Sequence, residues 1–118
     1  MYKLTFDRAG SLVLLTITGM LSVADVHALV AEMIDGVAAA RFTSYGLIID
    51  ISDAPVQSQD MITAIGAQMA RMQRVRSIAI VTGAMLARMQ VRRIFTQPFV
   101  GFVESHREAL EWVASVDA

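Results

Sequence analysis

The stretch that decides the fold is LIIDI at residues 47–51, together with IAIV at residues 78–81. Both are short apolar runs rich in β-branched side chains, without the polar alternation of a strand that has one face in water. Strands of this kind are typical of a parallel sheet covered by helices on both faces. We therefore expect an α/β domain with these two strands near its centre.

Helical patterns separate and flank the two strands. Ser22 and Ser105 are each followed three residues later by an acidic side chain, which is typical of a capped helix start. The predicted helices run from Ser22 to Ala39, from Ser58 to Arg74, from Ala84 to Phe95 and from Ser105 to Trp112.

The remaining predicted strands lie at the two ends of the chain. Residues 2–7 (YKLTFD) alternate apolar and polar side chains like a half-exposed edge strand. Residues 7–11 (DRAGS) predict a hairpin turn with Gly10 at positive φ, leading to a strand over residues 12–18. A last strand is predicted over residues 99–103. The order ββαβαβαβα predicts one domain over residues 1–118, with a mostly parallel five-stranded sheet and an N-terminal edge hairpin strand.

Composition excludes several classes of function. The chain has no cysteine, which excludes disulfides, thiolate metal sites and cysteine nucleophiles. Its net charge of −1 gives no general attraction to nucleic acid. The longest uncharged stretch, residues 9–24, contains Ser, Thr and Gly and is shorter than the roughly 18–20 apolar residues of a spanning helix. We expect a cytoplasmic protein with no nucleic-acid partner and no stable membrane insertion.

The order of these features resembles the STAS and STAS-like domains of anti-sigma factor antagonists, the SpoIIAA-like group. The resemblance rests on the opening hairpin, on residues 19–25 (GMLSVAD), on residues 48–52 (IIDIS) and on the ending at residues 102–113. That ending is closer to the divergent STAS-like branch, whose fold is shared with CRAL-TRIO lipid-binding domains. The resemblance covers nearly the full length and implies a SpoIIAA-like fold.

The same resemblance locates a regulatory switch. Anti-sigma factor antagonists carry Asp-Ser-Ser-Gly at the start of the helix after the central strand, and the second serine is phosphorylated. Counted from Asp50 without gaps, the matching residues are Ser58, Gln59, Asp60 and Met61. Asp60 therefore takes the phosphoacceptor position with a permanent negative charge, and Ser58 is interpreted as a helix cap. The expected switch-equivalent loop consists of Asp53, Ser58, Gln59 and Asp60.

Two histidines and three carboxylates are the other candidates for chemistry. His27 and His106 are predicted to be solvent-facing helix residues. Asp50, Asp53 and Asp60 follow the central strand at the edge where open α/β sheets bind ligands, so they could bind a cation or act in acid–base chemistry. We favour structural roles for them, with Asp50 bonded to a neighbouring loop. We expect no catalytic residue, metal ligand or cofactor.

Arginines and methionines leave two alternatives open. Arg88, Arg92 and Arg93 share one predicted helix face, which is either a patch for an anion or an acidic partner or a solvated surface. Five methionines either fill the core or line an apolar-ligand pocket or a dimer face: Met61, Met69, Met72, Met85 and Met89.

Taken together, these patterns predict a non-catalytic regulatory or protein-interaction module that forms a homodimer. The alternative is a domain that binds or senses a small apolar or lipid-like ligand, as in CRAL-TRIO domains. Neither hypothesis requires an enzyme.

Overall fold

The computed structural model describes residues 1–53, 59–68, 74–82, 89, 92 and 100–115 of the chain. The predicted helix over residues 84–95 lies outside the described residues apart from Met89 and Arg92, which are both helical. The elements are β1 (Tyr2–Asp7), β2 (Leu12–Ile17), α1 (Val23–Ala39), β3 (Tyr45–Asp50), α2 (Gln59–Gln68), β4 (Val75–Val81), β5 (Val100–Val103) and α3 (His106–Ser115).

The five strands form one sheet in the order β1-β2-β3-β4-β5. β1 pairs antiparallel with β2, and every later neighbour is parallel. The α/β class, the mostly parallel sheet and the N-terminal edge hairpin predicted from the sequence are all confirmed.

The central strands are buried on both faces, as their apolar runs predict. Leu47, Ile49 and Ile78 belong to the larger core, which contains the buried side chains of α1. Ile48 and Ala79 project to the opposite face and join a smaller core with residues of α3. Because successive side chains of a strand point to opposite faces, a strand that packs on both sides has no position for a charged side chain until it ends.

Two glycines let aromatic rings approach the backbone. The Phe6 ring of β1 lies so close to Gly36 of α1 that a Cβ at that glycine would overlap it. The indole of Trp112 on α3 covers Gly101 of β5 in the same way. These contacts seat α1 and α3 on opposite faces of the sheet.

Side-chain caps define where α1 and α3 begin. The Ser22 hydroxyl accepts from the Asp25 backbone N–H, and the Asp25 carboxylate accepts from the Ser22 N–H. At α3 the Ser105 hydroxyl accepts from the Glu108 N–H at 3.2 Å. Both predicted helix starts are thus confirmed.

The hairpin turn differs from the expectation in one detail. Ser11, with φ of 51°, takes the left-handed conformation that was expected of Gly10. The turn is held by the Asp7 carboxylate, which accepts from the N–H groups of Ala9 and Gly10. These side-chain bonds stabilise the turn that Ser11 completes.

β4 begins at Val75, three residues earlier than Ile78, where the apolar run begins. The added residues are polar at two positions, and Arg76 donates from its guanidinium to the Ser44 carbonyl at 3.4 Å. Arg74 makes the same kind of bond to the Phe42 carbonyl. Backbone pairing of Val75 with Tyr45 extends the strand beyond its apolar part, and the two arginine bonds tie its start to the chain before β3.

None of the helices described in the structure is long and apolar enough to cross a membrane.

Ser77 supplies a test of the core. Its side chain is 0% exposed, and no described residue offers its hydroxyl a hydrogen-bond partner. Because a buried, unpaired hydroxyl costs free energy, Ser77→Ala should raise the free energy of unfolding by about 1 kcal/mol in urea denaturation. Ser105→Ala is the matched control and should lower it by about 1 kcal/mol, since it removes a helix cap. Equal losses in the two variants would contradict the assignment of Ser77.

Candidate functional site

The candidate site lies at the carboxyl end of β3, where the buried strand reaches solvent. Asp50 is the last residue of this strand, and its side chain is 13% exposed. All parallel strands end at this edge of the sheet, so the loops that follow them share one surface. A charged residue is accommodated here because hydrogen-bond donors surround it.

Ser52 supplies donors to one oxygen of this carboxylate. Its backbone N–H donates to Asp50 Oδ1 at 2.9 Å, and its hydroxyl donates to the same oxygen at 2.6 Å. This local turn is the loop hydrogen bonding that the sequence predicted for Asp50.

His106 contacts the other oxygen of the carboxylate. Its Nε2 lies 2.6 Å from Asp50 Oδ2, and its side chain is 53% exposed. His106 is the first residue of α3, and the Ser105 cap that begins the helix fixes its position. The contact ties the end of the central strand to the start of the last helix across 56 residues of sequence.

The surroundings favour the ionised form of Asp50. Burial raises the pKa of its carboxyl group, but the two bonds from Ser52 and the contact with His106 together lower this pKa by more. The pKa of Asp50 therefore lies below its ordinary value, and the carboxylate is charged at neutral pH.

The order of these three side chains matters for their chemistry. In a serine-nucleophile triad, the histidine lies between the serine and the carboxylate and removes the serine proton. Here the carboxylate lies in the middle, because Ser52 and His106 both bond to Asp50. This geometry holds the loop and helix together and leaves the Ser52 hydroxyl as a donor to a carboxylate.

The predicted switch-equivalent loop is only partly within the described residues. Asp53 is exposed in the turn after Ser52, and Asp60 is exposed in the first turn of α2. Ser58 and the side chain of Gln59 lie outside the described residues.

The predicted arginine patch has one described member. Arg92 is exposed, and its guanidinium carbon lies 5.3 Å from the ring centroid of Phe102 in β5. This cation–π contact places Arg92 against the sheet. Arg88 and Arg93 lie outside the described residues, so the patch stays a prediction.

His106 is the site residue whose role the sequence reasoning missed. The prediction of an exposed helix position holds for His27 and for the partly exposed His106, but the Asp50 partner was not foreseen. The available signal was topological, because His106 follows the last strand and must lie at the edge that contains Asp50.

Exposed apolar side chains lie at the same edge, in the loop from β2 to α1 and at the first residue of α1. Met20 is 53% exposed and Val23 is 39% exposed, while Leu21 between them is buried. Gly19, with φ of +71°, turns the chain into this loop. The edge thus combines apolar side chains with the bonded Asp50 and His106.

Comparison with solved structures identifies the fold as SpoIIAA-like. An uncharacterised protein of Shewanella loihica PV-4 described as having this fold superposes with a TM-score of 0.74 at 17% identity, covering 95% of this chain and 93% of that one. An anti-sigma factor antagonist of Mycobacterium paratuberculosis gives 0.69 at 13% identity, covering 98% and 96%. Unphosphorylated SpoIIAA, an anti-sigma factor antagonist, gives 0.68 at 13% identity, covering 98% and 100%.

The fold implied by the sequence resemblance is therefore confirmed. Comparisons with protein-family models and with curated proteins found no match.

The Asp50 cluster predicts a pH-dependent stability difference. Asp50→Asn should lower the free energy of unfolding by about 2 kcal/mol at neutral pH, because hydrogen bonds to a charged, mostly buried carboxylate are lost or weakened. A carboxyl pKa that is lower in the folded state stabilises the protein above its unfolded pKa of about 4. The difference between the two proteins should therefore shrink as pH falls through the folded pKa, in urea denaturation followed across pH.

Asp53→Asn is the matched control, since Asp53 is exposed in the adjoining turn. Its effect should stay within about 0.5 kcal/mol at every pH. A loss of stability in Asp50→Asn that did not depend on pH would contradict the role of the charged carboxylate.

Proposed function

We propose that this chain is a non-catalytic regulatory module that binds a protein partner through the carboxyl edge of its sheet. The observation that carries the proposal is the superposition of nearly the full chain on two anti-sigma factor antagonists. Proteins of that description act by contacting another protein, the anti-sigma factor. We also propose that the module acts in the cytoplasm and needs no cofactor.

The surface proposed for this contact is the edge that contains Met20, Val23 and the Asp50–His106 pair. When a partner removes exposed apolar side chains from water, the free energy of the complex falls. Methionine suits such a surface because its flexible thioether adapts to the shape of a partner. Buried Leu21 anchors the loop that presents Met20 and leads into α1, which begins at Val23.

The Asp50–His106 contact supports this role by holding the edge in one arrangement. It joins the last residue of β3 to the first residue of α3, and Ser52 ties the loop after β3 to the same carboxylate. A surface fixed before binding loses less conformational entropy when a partner docks. The polar pair beside the apolar side chains also matches the mixed chemistry of transient protein interfaces.

The proposed mode of regulation does not use a phosphoserine switch. Asp60, which occupies the phosphoacceptor position implied by the resemblance, is exposed in the first turn of α2. A carboxylate there carries a permanent charge of −1 beside the positive end of the helix dipole. Partner binding would then be controlled by the amount or availability of the partner.

The apolar-ligand alternative stays a prediction. The side chains of Met61, Met69, Met72 and Met85 lie outside the described residues, and that of Met89 is 51% exposed. No observation on the described residues favours this second function.

A charge placed in the apolar surface tests the proposal. The double variant Met20→Glu, Val23→Glu should lose most of the partner that the unaltered protein captures from its native cells, because docking would bury two carboxylates. Capture on a resin followed by quantitative mass spectrometry provides the measurement.

Ile34→Glu is the matched control, because Ile34 is a similarly exposed apolar residue in the later part of α1. This variant should capture as much partner as the unaltered protein. Equal recovery by the double variant would contradict the assigned surface, and the lack of any specific partner would contradict the proposed function.

The absence of a phosphoserine switch is tested by intact-mass analysis. Protein purified from native cells in the presence of phosphatase inhibitors should show no phosphate adduct, since the position equivalent to the phosphoacceptor is Asp60. Treatment with a phosphatase provides the control spectrum. A phosphate mapped to Ser58 by peptide fragmentation would contradict this part of the proposal.

A further inference from the structure

β1 forms the open edge of the sheet. No described strand pairs with its other side. Its six residues match β2 without a register shift, so the edge has neither the bulge nor the proline that commonly prevents pairing with another chain.

The backbone of β1 has hydrogen-bonding groups directed to this open side. Met1 and Thr18 exchange backbone hydrogen bonds, each at 2.8 Å. Since bonded pairs alternate along an antiparallel ladder, Lys3, Thr5 and Asp7 are the residues of β1 that bond to β2. The N–H and C=O groups of Leu4 and Phe6 therefore point away from the sheet.

The side chains of β1 are complementary to a second copy of the same strand. We propose that two copies of this chain pair antiparallel through β1, with Thr5 of one copy opposite Thr5 of the other. Lys3 then lies opposite Asp7 of the second copy, and Asp7 lies opposite its Lys3. Lysine at an edge ordinarily discourages pairing, but here each lysine meets a carboxylate.

This register satisfies the backbone as well as the charges. It brings Leu4 opposite Phe6 of the second copy, so the outward N–H and C=O groups of both residues form bonded pairs. Centring the pairing on Leu4 or on Phe6 also satisfies the backbone but places Thr5 opposite Lys3 or Asp7. Among these three symmetric registers, the charges thus select the one centred on Thr5.

The inner face of the pairing is apolar. Leu4 and Phe6 are half-buried against the larger core, and a second copy would cover part of what remains exposed. At the end of the strand, Arg8 would come opposite Tyr2 of the second copy.

The layout of the helices leaves room for the second copy. α3 packs on β3, β4 and β5, so the outer face of β1 with Lys3, Thr5 and Asp7 stays exposed. α1 packs on the inner face of β1. The pairing would place the two α1 helices side by side on the same face of one continuous sheet, with five strands from each copy.

Single cysteines test both the surface and the register, because the chain has no cysteine of its own. Thr5→Cys places two thiols on opposite strands with Cα atoms about 4.5 Å apart, which suits a disulfide. Under mild oxidation, this variant should convert to a covalent dimer on a non-reducing gel. Lys3→Cys is the matched control, since its two positions lie about 14 Å apart and should not cross-link.

Charge-reversal variants of Lys3 and Asp7 test the same dimer independently. Lys3→Glu places carboxylates opposite each other, and Asp7→Lys places ammonium groups opposite each other, so each variant alone should lose the dimer in sedimentation equilibrium. An equimolar mixture should recover a dimer, and native mass spectrometry should show that it contains one copy of each variant. Arg107→Glu makes the same change of charge on exposed α3 and should leave the dimer intact.

Asp7→Lys also removes the turn bonds to Ala9 and Gly10, so its folding is checked by thermal unfolding. If this variant fails to fold, the result is decided by Lys3→Glu and by the comparison of Thr5→Cys with Lys3→Cys. A monomer at every concentration of the unaltered protein overturns the proposal. It is also overturned by equal cross-linking of the two cysteine variants or by an unchanged dimer in Lys3→Glu. Unchanged partner capture by the Met20 and Val23 variant would contradict the proposed binding surface but would leave this proposal standing.

Discussion

The removal of β3 and β4 from water on both faces is the constraint from which the rest of the structure follows. Leu47 and Ile48 are adjacent in sequence, point to opposite sides and are both essentially inaccessible to solvent. A sheet of this kind needs helices on each face, and the parallel pairing requires the chain to return across the sheet between strands. α1 and α3 therefore cover opposite faces, and the four parallel strands, β2 to β5, end together at one edge.

The same constraint explains why the cluster around Asp50 exists. A buried apolar strand can hold a carboxylate only where it leaves the core, and only if donors compensate for the water that is lost. The local turn at Ser52 provides two of these donors. The start of α3 brings His106 to the remaining oxygen, because the preceding strand, β5, ends at the same edge. The strand order that buries β3 thus also brings His106 to Asp50.

Much of the fold could be predicted because the informative signals are local. Apolar runs identify the central strands, and the Ser22–Asp25 capping box is legible from spacing alone. Features that depend on contacts between distant segments were harder to foresee. β4 extends back to Val75 where Arg76 bonds to the chain before β3, and no pattern within the strand shows that partner. The hairpin is a local exception, because its turn residues alone did not show that Ser11, and not Gly10, would take the left-handed conformation.

The site was less predictable for the same reason. A hydrogen bond from Asp50 to a neighbouring loop was expected, and Ser52 provides it. The bond to His106 spans 56 residues and depends on the order of strands in the sheet. Spacing rules search for partners a few residues apart, so a histidine with no nearby carboxylate was interpreted as a solvated side chain. Residues that directly follow parallel strands lie at the same edge of the sheet. This rule places His106, which follows β5, near Asp50 at the end of β3.

The two proposed surfaces lie on different sides of the sheet, and their geometry makes them compatible. The carboxyl edge closes the ends of the parallel strands, whereas β1 forms a lateral border. Antiparallel pairing through β1 reverses the strand direction of the second copy, so the two carboxyl edges would face opposite ends of the joined sheet. One dimer could then hold two partner molecules, one towards each end of the joined sheet. Pairing through β1 would therefore double the number of partner sites in one assembly.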